Sequence, residues 1–257
     1  MPALECAAVE YSNMVEALGA EIGSFAETVR GVEPAMPVPA CPPWNVAALV
    51  KHVGCSHRWA EHMVQRRSDR FVSFRDVPMG LPDEQGEYPA WLVAGRDPLL
   101  NTLRAAQPDE PMWAWGADQH VRFWARRQLF ETTVHHADAQ LALGRQPAIA
   151  VGIALEGIDE FLENLPFAER FAPNVKQLRG AGETLHLHCT DADGEWMIRL
   201  EPEGFTWEHG HGKGSVAVRG TASDLLLLTY GRLKADARFQ SFGDETLLAK
   251  WLANASI

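Results

Sequence analysis

The pattern of apolar residues changes near Gly144, and this change constrains the fold more than any other feature of the sequence. Before Gly144, long segments carry apolar residues at three- and four-residue spacing, which is typical of amphipathic helices. After it, short alternating segments predominate, as in strands. A chain of 257 residues accommodates two domains of ordinary size. We therefore predict a helical domain at 1–146 and an α+β domain at 147–257.

The first domain is predicted to be a bundle of four helices. Its apolar stripes lie at residues 4–30, 45–65, 89–106 and 120–143. The polar stretch at 67–88 contains several Pro and Gly residues and is predicted to be an irregular loop. Trp113 and Trp115 lie close together before the last helix. They either cap the bundle core or form the wall of a pocket.

The second domain is predicted to be a small α+β domain with an antiparallel sheet. A helix is expected at 151–165, and two more at 221–230 and 244–254. Five short alternating segments predict strands at 184–189, 195–200, 205–208, 215–219 and 238–242. The turn-like residues 190–194 join the first two strands into a hairpin.

Composition excludes several classes of function. A formal net charge of −11 disfavours nucleic acid as a partner, because such binding depends on Lys and Arg at the phosphates. The sequence contains no apolar run of eighteen residues and no secretion signal at its N-terminus, so we expect a cytoplasmic protein without a membrane span. We take a monomer as the default.

The four cysteines, Cys6, Cys41, Cys55 and Cys189, are widely spaced and form no CxxC pair. In the cytoplasm they are expected to be reduced thiols. Cys55 lies three residues after His52 and is either a soft metal ligand or a small core residue. We favour the core residue, because unpaired cysteine is among the most buried residue types.

Candidate metal ligands lie on two of the predicted helices. Glu131 and His135 are four residues apart, so a helix places them on one face, and Asp138 follows three residues later. His52 lies in the second predicted helix, where it could point into the bundle. Two His and one Glu suit a catalytic zinc site with an open position better than a structural one. On spacing alone, a capping or surface pair is the alternative for Glu131 and His135.

The remaining histidines are less well placed. Helical geometry turns His136 away from His135 and turns His57 away from His52, and His62 is no better placed. Asp138 either orients a ligand or makes a simple contact elsewhere. No carboxylate or cysteine is fixed by sequence near the other four histidines, so we expect them on a solvent-exposed face; they are His186, His188, His209 and His211.

Three segments carry a family resemblance. The segment Trp44-Asn-Val-Ala-Ala-Leu-Val-Lys-His52 resembles the entry helix of DinB-like thiol-dependent enzymes. The segment Arg126-Arg-x-x-x-Glu131-x-x-x-His135-x-x-Asp138 resembles their fourth-helix motif. Between Val218 and Leu252, the sequence resembles the C-terminal, sterol-carrier-like domain of mycothiol-dependent maleylpyruvate isomerases. The segments occur in the family's order and span nearly the whole chain.

This resemblance implies one zinc ion per chain held by His52, Glu131 and His135, and mycothiol as a thiol cosubstrate. In the family's reaction, the thiolate adds to the cis double bond of maleylpyruvate. Rotation about the resulting single bond and elimination of the thiol then give fumarylpyruvate. Gly220, Asp224 and Trp251 are expected to be structural, as turn, cap and core residues.

A dianionic substrate requires cations, and Arg binds a carboxylate through two parallel hydrogen bonds. Arg126 and Arg232 are our candidates for this role. Arg127 is a third, although it lies four residues before Glu131 and could simply pair with it. Arg232 is the residue that the resemblance implies from the second domain, and a structural role at the C-terminus of the preceding helix is its alternative.

Three functions are compatible with these observations. The first is a zinc- and mycothiol-dependent isomerase or thiol transferase acting on a small anionic electrophile. The second is a non-catalytic binding protein with a structural metal site. The third is a metal-dependent hydrolase that uses metal-bound water without a thiol. The complete set of His52, Glu131 and His135 favours the first.

Overall fold

Apolar stripes at helical spacing assemble the first half of the chain into a helical bundle. The computed structural model describes residues 10–255, which divide into two compact units. The first unit contains the described residues up to Ala114 together with Asp118–Arg145, and the second contains Trp115–Ala117 and the residues from Gln146 onward. Part of the first predicted helix, at 4–9, and Cys6 lie outside the described residues.

The first unit contains five helices in four bundle positions. They are α1 (Tyr11–Val29), α2 (Val46–Arg66), α3 (Tyr88–Ala94), α4 (Arg96–Ala105) and α5 (Val121–Ala142). Helix α2 begins where the Asn45 side chain accepts a hydrogen bond from the Ala48 N–H at 2.8 Å, a favourable N-cap. Gly144, with φ of 68°, follows the end of α5. Helix α5 is buried on most of its surface, as the central member of a bundle must be.

The third predicted helix is divided in two at Gly95, which the sequence pattern did not predict. The Arg58 guanidinium donates to the carbonyl of Trp91 at 2.8 Å and lies 3.8 Å from the centre of the Trp91 ring. A Cβ at Gly95 would lie 2.7 Å from Arg58 Nη1. The break between α3 and α4 therefore accommodates this half-buried arginine.

Two polar contacts connect α2 and α5 inside the bundle. Ser56 donates to Gln128 at 3.1 Å, and His57 Nε2 lies 2.8 Å from the Thr132 hydroxyl. The Thr132 hydroxyl donates to the Gln128 carbonyl at 2.6 Å, so His57 Nε2 must carry the proton. Nδ1 of His57 is buried without a hydrogen-bond partner. Burial lowers the pKa of His57 to about 3, so this imidazole is neutral.

The loops of the first unit contain little regular structure. Segment 67–88 includes only two short 3₁₀ turns, Phe74–Asp76 and Gln85–Glu87, before α3 begins. Trp113 packs in an aromatic cluster, with its ring centroid 5.6 Å from that of Phe71 and 6.3 Å from that of Trp124. Trp113 therefore caps the core. Trp115 belongs to the second unit, where its ring packs against Phe171 at 5.5 Å.

The second unit combines three helices with a five-stranded sheet. Its helices are α6 (Val151–Asn164), α7 (Ala222–Thr229) and α8 (Glu245–Asn254), with 3₁₀ turns at Leu165–Arg170 and Pro173–Gln177. Its strands are β1 (Thr184–Cys189), β2 (Glu195–Glu201), β3 (Gly204–His209), β4 (Val216–Gly220) and β5 (Gln240–Gly243). No helix among residues 10–255 is long and apolar enough to cross a membrane.

The sheet is mixed, whereas the sequence predicted an antiparallel one. The strand order is β3-β2-β1-β4-β5, and β1 pairs with β4 in parallel. Strand β3 ends at His209, beside the start of β2, whereas β4 starts at Val216, which pairs with Leu185 near the start of β1. The 210–215 loop therefore runs back along the sheet, and β4 runs in the direction of β1. The other three pairings are antiparallel, including the predicted hairpin of β1 and β2.

Polar side chains cap the N-termini of α7 and α8, although Asp224, the predicted cap residue, lies in the first turn of α7 instead. Thr221 caps α7 by accepting from the Asp224 N–H at 3.2 Å, and Asp244 caps α8. Trp251 is buried and packs against Phe205 at 5.1 Å. A Cβ at Gly220 would lie 2.8 Å from the Phe239 ring, so the close approach there requires glycine.

We predict opposite effects for alanine at two helical glycines. A Cβ at Gly54 would lie 2.1 Å from Trp91, so Gly54→Ala is expected to lower the free energy of unfolding by about 1–3 kcal/mol. At Gly23 the nearest atom would be 3.8 Å away, so Gly23→Ala should raise it by about 0.5–1 kcal/mol through helix propensity. Urea denaturation measures both. Equal effects would contradict this account of the α2–α3 contact.

The buried His57 is predicted to destabilise the fold in acid. Its folded pKa of about 3 lies below the ordinary value of 6.5, so its contribution to stability is complete above 6.5 and is lost as pH falls toward 3. The loss is about 1.4 kcal/mol per pH unit. Urea denaturation of metal-chelated protein between pH 6.5 and 4.5 should therefore show a shallower pH dependence for His57→Gln. The partly exposed His62→Gln is the control and should retain the wild-type slope.

Candidate metal centre

Helices α2 and α5 bring His52, Glu131 and His135 together. One ligand atom from each of the three residues lies within 4.8 Å of the other two. His52 Nε2 lies 2.6 Å from Glu131 Oε1, and His135 Nε2 lies 3.5 Å from the same oxygen. The two imidazole rings meet edge to face at 5.0 Å. The three donor atoms thus converge on one point.

This group is open on one side only. The side chain of His52 is 41% exposed, that of Glu131 is 19% exposed and that of His135 is 8% exposed. Trp44 lies beside both imidazoles, with ring centroids 4.7 Å from His52 and 5.6 Å from His135. A small molecule can therefore approach from the side of His52, along the indole of Trp44.

Asp138 orients His135 from behind. Asp138 Oδ2 lies 2.8 Å from His135 Nδ1 and also accepts a hydrogen bond from the Cys41 thiol at 3.1 Å. Because Asp138 is fully buried and its carboxylate faces Nδ1, Nδ1 carries a proton and donates to Asp138, and Nε2 points toward Glu131. The sequence raised this orienting role for Asp138 but did not indicate Cys41, which lies in the Pro-rich loop.

The second carboxylate oxygen of Glu131 is occupied by an arginine. Arg127 Nη2 donates to Glu131 Oε2 at 3.2 Å, and the Arg127 side chain is buried. Arg127 therefore pairs with Glu131, which was the simpler of its two predicted roles. Arg126 is half-buried on the same helix, one position earlier.

Charges inside the group shift the protonation of its members. Burial alone would raise the pKa of Glu131, but hydrogen bonds from His135 and His52 hold that pKa well below its usual range. Burial would lower the pKa of His135, but hydrogen bonds to Asp138 and Glu131 hold it well above its ordinary value. A metal ion would thus compete with protons for the same atoms. The affinity for the metal should therefore decrease as the pH is lowered.

Nearby side chains that the sequence set aside make other contacts. His136 lies between α1 and α5, 2.6 Å from Glu21 Oε1 and 2.9 Å from the Thr28 hydroxyl. Cys55 is half-buried and belongs to no metal-binding group among the described residues. Burial raises the pKa of its thiol.

The four C-terminal histidines behave only partly as predicted. His186, His188 and His211 surround the carboxylate of Glu195, and His186 is buried. The expectation of a solvent-exposed face is confirmed for His209 and His211, which are exposed, but it is wrong for the buried His186, and Glu195 supplies a carboxylate that was not predicted. His209 lies apart from the other three, 3.2 Å from Asp159 Oδ2. Strand pairing supplies the reason, because Glu195 opposes His188 across the β1–β2 hairpin.

Arg232 lies in the second unit, just after α7. Its guanidinium donates to the Tyr230 carbonyl at 2.6 Å and lies 5.9 Å from the centre of the Tyr230 ring. This contact at the end of a helix matches the structural alternative. Its role toward a substrate stays a prediction.

The donors of the first unit fit a divalent metal ion. Two imidazole nitrogens and one carboxylate oxygen form a mixed N/O set of the kind that zinc accepts in catalytic sites. Asp138 supplies the carboxylate that metal-binding histidines require at their second nitrogen, and Arg127 orients the glutamate. Three protein donors leave a coordination position for a further ligand.

Comparisons with known proteins identify the family and the fold of this chain. Residues 15–140 match the family described as the mycothiol maleylpyruvate isomerase N-terminal domain, and residues 152–250 match the MDMPI C-terminal domain. A crystal structure of mycothiol-dependent maleylpyruvate isomerase is similar at a TM-score of 0.54 and 15% identity, over 90% of this chain and 92% of that one. A point mutant of that enzyme gives a TM-score of 0.55 with the same identity and coverage. No curated protein matches the sequence.

The fold and the convergent donors define a two-unit protein of the isomerase type, with a DinB-like helical bundle followed by an α+β unit. The chain belongs to the mycothiol-dependent maleylpyruvate isomerase family. The family resemblance found in the sequence is thereby confirmed.

Replacing the carboxylate behind His135 should weaken metal binding. In Asp138→Asn the side chain loses its negative charge. The hydrogen bonds that it accepts from Nδ1–H of His135 and from the Cys41 thiol therefore become weaker. We expect the zinc affinity to fall about 10- to 100-fold, measured by competition with a chelating dye. Asp118→Asn changes a carboxylate that pairs with His120 away from the site and should leave the affinity unchanged. Equal affinities for Asp138→Asn and wild type would contradict the orienting role.

Proposed function

We propose that this protein is a zinc- and mycothiol-dependent enzyme that isomerises small, maleylpyruvate-like dianions. One observation carries the proposal: His52, Glu131 and His135 converge within 4.8 Å and leave one side open beside Trp44. Family membership supports mycothiol as the thiol. The donors also support catalysis over the non-catalytic alternative, because His135 and Glu131 are each oriented by a further polar contact.

His52, Glu131 and His135 would hold the zinc ion. When bound, zinc supplies a positive charge that lowers the pKa of a coordinated thiol, so that the thiolate is present near neutral pH. A free thiol is mostly protonated under the same conditions. Because Glu131 contributes one negative charge, the centre is less positive than one built from three histidines, and this should keep the thiolate nucleophilic.

Residues around these ligands prepare the site without touching the thiol. Asp138 holds the proton of His135 on Nδ1, which keeps Nε2 available as a ligand. Arg127 fixes Glu131 Oε2 and leaves Oε1 facing the two imidazoles. Trp44 packs beside both imidazoles and forms one wall of the approach to the ligands.

Binding of the substrate carboxylates is assigned to Arg126 and Arg232. Arg126 is half-buried on the helix that carries Glu131. Arg127 is excluded from this role because its guanidinium already pairs with Glu131 inside the bundle. Arg232 rests on the family resemblance, and its contact with Tyr230 supports a structural role equally well.

Isomerisation and thiol transfer differ in the fate of the thiol. In isomerisation the thiolate that adds to the double bond is eliminated again, so mycothiol is regenerated. In transfer to an electrophile the thiol remains bound to the product and is consumed. A hydrolase that used metal-bound water would need no thiol. Mycothiol dependence and mycothiol balance therefore separate the three reactions.

The first test combines metal content with turnover. By elemental analysis, protein purified without a His tag or added metal should contain a zinc ion at His52, Glu131 and His135, so His52→Ala should contain about one ion per chain fewer than wild type. Isomerisation of maleylpyruvate should require mycothiol and leave its concentration unchanged. In His52→Ala the rate should fall at least 100-fold, because three protein ligands are needed to retain a catalytic zinc.

His62→Ala is the matched control. His62 lies on the same helix, is also partly exposed and belongs to no metal-binding group among the described residues. Its metal content and rate should equal those of wild type. Absence of zinc in the wild type after zinc is offered would overturn the proposal, and consumption of mycothiol would reassign the protein to thiol transfer.

A further inference from the structure

Three histidines and one glutamate meet on the outer face of the sheet in the second unit. His186 and His188 are two residues apart on β1, and Glu195 begins β2 directly opposite His188. The alternate residues Leu185, Leu187 and Cys189 are buried on the opposite face. His211 comes from the loop that follows β3. The position of this four-residue cluster is thus determined by the β1–β2 pairing and by the loop that carries His211.

The four side chains are directed at one point. Glu195 Oε2 lies 2.9 Å from His186 Nε2 and 2.7 Å from His211 Nδ1, and Glu195 Oε1 lies 3.0 Å from His188 Nδ1. One ligand atom from each residue lies within 4.8 Å of the others. Three imidazoles contact this one carboxylate, whereas an ordinary ion pair needs only one partner for it.

The C-terminal end of the loop that carries His211 is hydrogen-bonded to the start of β1. Ser215 N–H donates to the Thr184 hydroxyl at 3.0 Å, and Thr184 N–H donates to the Ser215 hydroxyl at 3.2 Å. A Cβ at Gly214 would lie 3.1 Å from the backbone nitrogen of His186. Glycine therefore lets the loop lie against β1, which places His211 within reach of Glu195. His211 itself is 76% exposed.

We propose that His186, His188, Glu195 and His211 form a second metal site that binds a divalent transition-metal ion, with zinc as the favoured occupant. Imidazole nitrogens suit zinc, copper and nickel, and one carboxylate completes a four-donor set for the tetrahedral geometry of zinc. Calcium and magnesium are disfavoured, because they require mainly oxygen ligands.

The number of donors points to a structural role. Four protein ligands close the coordination sphere of zinc and leave no position for a substrate. Such an ion would connect the 210–214 loop to β1 and β2. Arg219 Nη2 lies 3.5 Å from His188 Nε2, on the side of that ring away from Glu195. Since Glu195 offsets one positive charge of the ion, Arg219 faces a net charge of only one. This site is independent of the function proposed above.

The test counts zinc in the full-length, tag-free chain after loading with zinc chloride and desalting. Wild type should retain about two ions per chain, Glu195→Gln about one, His52→Ala about one and the double variant none. Glu195→Gln is nearly isosteric, and circular dichroism shows whether it is folded. Titration of His52→Ala with zinc should also raise its Tm, because the ion binds only the folded state.

His209→Ala is the matched control, because His209 lies in the same part of the chain but contacts the Asp159 carboxylate and only the backbone carbonyl of Glu195. It should retain two ions. One ion in the wild type, with the same count in Glu195→Gln, would overturn the second site and show that the histidines only hydrogen-bond to Glu195. Loss of zinc in His52→Ala alone tests the first site separately, so failure of one proposal is distinguishable from failure of the other.

Discussion

The first unit depends on the neutralisation of one buried carboxylate. Glu131 lies inside a helical bundle, where an unpaired negative charge would be strongly unfavourable. Its compensation comes from two directions, with Arg127 and His135 on its own helix and His52 on α2. The same interaction therefore satisfies the charge and brings the donors of the two helices to one point. A metal ion would replace the protons in this arrangement without rearranging the helices.

Two polar contacts between α2 and α5 lie deeper in the bundle, next to this carboxylate. Ser56 and His57 on α2 meet Gln128 and Thr132 on α5, immediately beside Glu131 in sequence. Such contacts are specific in direction, so they fix how far α2 slides along α5, which apolar packing alone does not. The absence of a side chain at Gly54 lets Trp91 approach α2 from another side. The position of His52 is thus determined by contacts that carry no chemistry.

Sequence predicts the part of this site that is local. Glu131, His135 and Asp138 share a helix face by spacing alone, and the structure places them in contact as helical geometry requires. His52 is 79 positions from Glu131. Helical spacing indicated only that His52 could point into the bundle, and the family resemblance implied that the two residues share a site. Cys41 could not be found, because its loop has no repeating geometry. Likewise, the sheet was predicted to be antiparallel, since a short segment does not reveal which neighbour it will pair with.

The C-terminal histidines were misjudged for a different reason. The hairpin was predicted correctly, but a turn at 190–194 would pair residue 189 with residue 195, whereas the observed register pairs His188 with Glu195. This shift by one residue places Glu195 on the same face as His186 and His188, so its position could not be obtained by extending the predicted turn. Both units consequently use one physical arrangement, a glutamate whose charge is compensated by converging imidazoles. They differ in the number of donors, counting the glutamate in each case: the group at Glu131 has three donors and an open side, and the group at Glu195 has four donors. Because an open coordination position is what separates chemistry from structural support at zinc, the count of donors, more than their type, distinguishes the roles that we propose for the two sites.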